Sequence, residues 1–164
     1  HSLTLQVEGF ERTAALLTRT MGFRKVGEEN NRHRYEVGTG GPGTYVEVLC
    51  LPSGPRGVLG AGTVHHVAFR TPTDAQQSSW LEKIANEGYN VSPIMDRDYF
   101  HSIYFREPGR VLFEIATDPP GFTVDESPEQ LGSRLRIPAW LESQRGEIER
   151  ILPPLTLPTW KQGE

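Results

Sequence analysis

Alternating apolar and polar positions open the chain, and "SLTLQV" at 2–7 reads as a strand. In "EGFERTAALLTRTMGF" the spacing changes: Leu16, Leu17, Thr20 and Met21 recur on one helical face, with Gly22 as a C-cap. Short strands are predicted near 31–37 ("NRHRYEV") and 44–51 ("TYVEVLCL"), separated by the turn-rich "GTGGPG". The same order then recurs. "TVHHVAFR" reads as a strand and "TPTDAQQSSWLEKIANEGYN" as a helix. Thr73 or Asp74 caps that helix, Trp80, Leu81 and Ile84 form its apolar stripe, and Gly88 ends it. Strands near 89–94 and 102–106, a turn at "EPGR" and a last strand "VLFEIAT" complete the second half.

Each half thus reads strand–helix–strand–strand–strand. Aligned on their first strands, the halves are offset by 64 residues; aligned on their last strands, with Glu47 over Glu114, they are offset by 67. A nearly constant offset is the mark of an internal duplication. The expectation is an α+β fold of two βαβββ modules with curled mixed sheets, at 1–61 and 62–120, and a tail at 121–164. The tail is Pro-rich and irregular over 118–138, then forms a short amphipathic helix in "AWLESQRGEIERIL", ended by "PPLTLP". It is expected to pack over the modules or a neighbouring domain.

With 36% hydrophobic and 23% charged residues among 164, the chain has the composition of a globular domain. A formal net charge of −4 gives no reason to expect nucleic acid or an anionic membrane as partner. No apolar run approaches the roughly 20 residues that span a bilayer. Cys50 is alone, so no internal disulfide forms, and its apolar run predicts a buried, inert thiol. A reducing cytoplasm is the default location. The chain starts at His1 directly in a strand signal, which reads as a piece of a longer protein beginning near a module boundary.

The chemistry centres on two places. In "VLFEIA" alternation puts Leu112, Glu114 and Ala116 on one face and Val111, Phe113 and Ile115 on the other. A carboxylate within an apolar strand is costly unless it is paired or binds metal. Alone, Glu114 reads as part of a salt bridge or of the solvated face of an edge strand. The adjacent His65 and His66 should point to opposite faces of their strand, so one of them faces in. His66 and Glu114 fall on the first and last strands of one module, and a curled sheet would bring them together. His₂-carboxylate with open positions is the pattern of non-haem iron(II) oxygenases. Without that context, the histidines read as hydrogen-bonded structural residues.

The duplicated order, "TVHHVAF" and "DRDYFHSIYFREPGRVLFEIATDPPGF" resemble the vicinal oxygen chelate (glyoxalase/bleomycin resistance/dioxygenase) superfamily. More closely, they resemble the C-terminal half of its ring-cleaving, hydroquinone-type extradiol dioxygenases. The resemblance implies a metal-dependent enzyme that opens hydroquinone or catechol-type aromatic diols with O2. It implies iron(II), or manganese(II), held by His66 and Glu114. A third ligand, another His, would come from the first of four modules, of which this chain would hold the third and fourth. It further implies His65 as acid or base, Arg97 as the cation for the aromatic diolate, and Tyr104 as hydrogen-bond donor to the reacting oxygens. These roles suit the side chains: imidazole shuttles protons near neutrality, guanidinium favours an anionic oxygen, and a phenol stabilises a developing one. The same residues also fit blander roles: Arg97 as a surface cation, Tyr104 in the core, His65 turned to the opposite layer.

The first module departs from this pattern, because Ser2 stands where His66 stands in the second and only Glu47 keeps the carboxylate position. His1 aligns with His65, and His101 is expected on an exposed strand position. Two other readings remain. One is a glyoxalase-like lyase or isomerase with Glu47, His66 and Glu114 around nickel or zinc. The other is a non-catalytic module that binds an aromatic ligand. A homodimer through module pairing is a further expectation, since a missing partner module would leave apolar surface open.

Overall fold

A computed structural model describes residues 1–154. The chain divides into two compact units, His1–Gly121 and a second beginning at Phe122.

The first unit holds both halves of the duplication. Its strands β1 (Ser2–Val7), β2 (Arg24–Glu29), β3 (Arg32–Glu36) and β4 (Tyr45–Cys50) form a sheet in the order β1-β4-β3-β2. β5 (Val67–Thr71), β6 (Met95–Asp96), β7 (Phe100–Arg106) and β8 (Leu112–Pro120) form another in the order β5-β8-β7-β6. In both, the first strand runs parallel to the last and the other pairs are antiparallel. Thr4 pairs with Glu47 as Ala68 pairs with Glu114, so the two offsets seen in the sequence are equivalent places in two like sheets. The sheets are mixed, as expected; neither is strongly curled, which corrects that part of the expectation.

Helix α1 (Glu11–Ala15) continues into a π-helical turn at Leu16–Thr20, closed by the Met21 amide on the Leu16 carbonyl. The wider turn leaves Leu16, Leu17, Thr20 and Met21 all buried, and Gly22 then takes the left-handed conformation that ends the segment. Helix α2 (Asp74–Asn86) is capped by Thr73, whose hydroxyl accepts the Gln76 amide. Of its stripe, Ile84 is fully buried and Trp80 and Leu81 pack at the edge. The core is built from the inward faces of both sheets, including Leu5, Val46 and Val48 on one side and Ile103, Phe105, Phe113 and Ile115 on the other. Phe23 meets Phe69 edge-on, with centroids 5.9 Å apart. Buried polar ties cross between the halves. Thr13 donates to Glu107 Oε2 at 2.6 Å, and Glu107 Oε1 accepts the Val111 amide at 2.9 Å.

Several elements differ from the sequence-based boundaries. The strand predicted over "TVHHVAFR" begins only at Val67, so both histidines precede it. β2 supplies the remaining strand of the first half's predicted order, for which the sequence offered no stretch because most of its residues are exposed and polar. The strand predicted near 89–94 is a single bridge between Val91 and Phe105, and the pairing strand is the short β6. Cys50 is half-buried, its sulfur 3.6 Å from the Glu8 carbonyl, because β4 ends there. In the second unit, the helix predicted over "AWLESQRGEIERIL" is a 3-10 segment, Ala139–Gln144, followed by α3 (Arg145–Ile151). Arg145 binds Glu142 and Glu149 there. Most of the proposed "PPLTLP" terminator lies outside the described residues. No helix among the described residues is long and apolar enough to cross a membrane.

Candidate metal centre

The site lies on the face of the second sheet turned away from the apolar core. Alternation in β8 sends Phe113 and Ile115 into the core and Glu114 to the other side. Tyr104 on β7 lies directly across the ladder from Glu114, and Ser102 opposes Ala116, one step along the same face. Glu114 is 2% exposed and Ser102 fully buried, so this carboxylate must be satisfied inside the protein.

It is. Glu114 Oε1 accepts the Tyr104 hydroxyl at 2.8 Å and also the Ser102 hydroxyl. Glu114 Oε2 lies 2.7 Å from His66 Nε2. Tyr104 and His66 meet edge-on, with centroids 6.1 Å apart. Arg97, in the turn between β6 and β7, places its guanidinium carbon 5.4 Å from the centre of the Tyr104 ring. His65 Nδ1 lies 3.0 Å from His66 Nδ1. The five residues to which the resemblance gives roles, His65, His66, Arg97, Tyr104 and Glu114, therefore fall within one chain of contacts. The expectation that His65 and His66 point to opposite faces is replaced: both lie before the strand, where alternation does not hold.

A 2.7 Å approach of imidazole nitrogen to carboxylate requires a shared proton or a cation. It also suits a metal ion. Two donors bound at about 2.1 Å and at right angles stand about 3 Å apart. With Nε2 as the ligating atom, His66 carries its proton on Nδ1, where His65 Nδ1 can accept it. The residues thus fit a divalent ion as a two-donor set. Among the described residues, no group of three or more His, Cys, Asp or Glu side chains stands ready to hold a metal.

Glu47, at the equivalent place in the first sheet, is occupied differently. Arg34 binds its Oε1 from Nε at 2.9 Å and from Nη2, and Arg32 and Thr4 each reach Oε2 at 3.1 Å. The Arg34 guanidinium, then burial in the opposite sense, then Thr4 act on the Glu47 carboxyl, and the net effect holds it below the usual carboxylate range. Two arginine side chains stand where a cation would, so Glu47 does not join His66 and Glu114.

His101, expected on an exposed strand position, is only about one-third exposed and pairs through Nδ1 with Asp74 at 2.7 Å, away from the site. Ser102 was not singled out in the sequence. The signal was its i, i+2 spacing to Tyr104 in "HSIYF", which puts both hydroxyls on one strand face. A cavity of about 1040 Å³ in this unit is lined by His65 with Arg12, Arg56, Arg106 and Arg110, but not by Glu114, Tyr104 or Arg97.

The family model of the Glyoxalase/Bleomycin resistance protein/Dioxygenase superfamily matches residues 1–124. A Bacillus subtilis protein named as the ring-cleaving dioxygenase MhqO is 47% identical over 151 residues, covering 92% of this chain and 48% of that protein. The chlorohydroquinone/hydroquinone 1,2-dioxygenase of Sphingobium indicum is 35% identical over 155 residues, covering 93% of this chain and 48% of the relative. A crystal structure of a protein described as a dioxygenase from Bacillus subtilis superposes with a TM-score of 0.86 at 46% identity, covering 93% of this chain and 49% of that one. The chain spans about half the length of the curated relatives it matches.

Proposed function

The chain belongs to the Glyoxalase/Bleomycin resistance protein/Dioxygenase superfamily, and from that premise we propose that it is the C-terminal part of a metal-dependent dioxygenase that opens hydroquinone or catechol-type aromatic diols with O2. The observation that carries this reading is Glu114. It is a buried carboxylate with one oxygen held by two hydroxyls and the other facing His66. The relatives named for ring cleavage and for hydroquinone support the reaction and the substrate class.

In this proposal residues 1–61 and 62–120 are the third and fourth of four modules, and of these two only the fourth supplies metal ligands. His66 and Glu114 hold iron(II) or manganese(II), and a third His comes from a module outside this chain. When bound, the metal supplies a path for electrons between ring and dioxygen and acts as a Lewis acid. The chain's own residues prepare the site. Tyr104 offers its phenol proton to an oxygen of the diol, and Arg97, whose guanidinium lies over the Tyr104 ring, favours the anionic form of the substrate. His65, which accepts the His66 proton at Nδ1, serves as acid or base toward the substrate. The glyoxalase-like alternative needs Glu47, which its arginine partners already occupy.

The test is an anaerobic iron(II) titration of the chain, with His66→Ala as control. Weak binding that the substitution abolishes is expected. Binding unaffected by the substitution, or none at all, would overturn the assignment of His66. Tight stoichiometric binding would show that the chain or its dimer completes the site unaided, against the four-module proposal.

A further inference from the structure

The two oxygens of Glu114 are not equivalent. Oε1 receives the hydroxyls of Ser102 and Tyr104, which fill its two lone-pair directions, while among the described residues Oε2 faces only His66 Nε2. The two hydroxyl donors also differ. Ser102 is fully buried, on a short side chain anchored in the β7–β8 ladder. Tyr104 is half-buried, reaches Glu114 through a long ring, and carries Arg97 over that ring.

We propose that Ser102 is a positioning residue: its hydroxyl pins Oε1 so that Glu114 presents Oε2 alone to a divalent cation and stays satisfied when Tyr104 turns to a substrate oxygen. This rests on the reading of His66 and Glu114 as metal ligands. Without Ser102, release of Tyr104 would leave Oε1 buried and unpaired, and the carboxylate could rotate to offer either oxygen. The two hydroxyls thereby divide their work. The serine keeps the ligand in place, and the tyrosine is left available to the substrate.

The experiment is an anaerobic calorimetric titration of the whole chain with iron(II), repeated with manganese(II), for wild type, Ser102→Ala, Ser102→Thr and Tyr104→Phe. Each is measured well below its melting temperature. Ser102→Ala is expected to weaken binding about tenfold or more, within the range found when a partner of a metal ligand is removed. Ser102→Thr, which keeps the hydroxyl, should restore most of the affinity, and Tyr104→Phe should lose less than Ser102→Ala. A role confined to folding would lower the melting temperature of Ser102→Ala and leave the affinity of the folded chain unchanged. Equal affinities for wild type and Ser102→Ala, or equal losses for Ala and Thr, would overturn the role of Ser102 and leave the ligand assignment standing. Failure of the wild-type chain to bind either metal would overturn the ligand reading, and the role of Ser102 with it.

Discussion

Tyr104 and Glu114 face each other across the antiparallel ladder of β7 and β8, and the Tyr104 hydroxyl donates to Glu114 Oε1 at 2.8 Å. The phenol is thus held beside the proposed metal ligand without itself being one. Tyr104→Phe removes the proposed donor to the reacting oxygens and leaves Ser102 on the carboxylate. In a form of the protein competent for turnover, ring cleavage should slow on the order of 10²-fold with metal still bound. Steady-state oxygen uptake beside a metal assay checks this; an unchanged rate removes Tyr104 from the reaction.

Glu114→Gln tests charge separately from shape. The amide is nearly isosteric, and its carbonyl oxygen can still accept from Ser102 or Tyr104. It cannot supply the anionic oxygen opposite His66. Iron(II) binding should fall below detection while the fold persists, with a stability change of about 1–3 kcal/mol in either direction. Metal titration and chemical denaturation report the two quantities separately. Retained binding would exclude Glu114 as a ligand.

The duplication was legible because it is written in burial: apolar period along the strands and helices, repeated at offsets of 64 and 67, matches two like sheets. Glu114 stood out because charge inside an apolar strand is expensive. β2 went unseen because Arg24–Glu29 buries little and is held by pairing with β3, a contact that local pattern does not encode. The start of β5 was misplaced because "TVHHVAF" continues the strand pattern, whereas pairing with β8 starts only at Val67 and Phe113. The contrast between Glu47 and Glu114 was half legible. Ser2 broke the match to His66 in the second half, but that Arg32 and Arg34 would pair with Glu47 depends on β3 lying beside β4.

Glu47 gives a pH dependence. Its folded carboxyl is held below the ordinary value of 4.5, first by Arg34. A depressed folded pKa stabilises above the unfolded value, and that contribution is lost as pH falls through the folded one. The stability difference between wild type and Glu47→Gln should therefore be about 1 kcal/mol near neutrality and shrink as pH drops from about 5 towards 3. Urea unfolding of both proteins across that range measures it. A difference independent of pH would mean that Glu47 does not titrate against its arginine partners.

Gly109 sits in the turn between β7 and β8, against the first half of the duplication. A Cβ there would collide with Val7 Cγ1 and lie 2.7 Å from Glu107 Oε1 and 3.0 Å from Val7 Cβ. Val7 is core, and Glu107 is committed to Thr13 and the Val111 amide, so neither has room to yield cheaply. Gly109→Ala should cost about 1–3 kcal/mol through overpacking, and more if the Thr13–Glu107 bond breaks as well. Gly57→Ala is the control: a Cβ at that position meets nothing within 4 Å, and the change should stay within about 0.5 kcal/mol. Thermal unfolding of the two variants side by side decides the matter. Equal melting temperatures would mean that the turn shifts away from Val7 at no cost, and that the tie between the two halves is looser than Glu107 and its partners indicate.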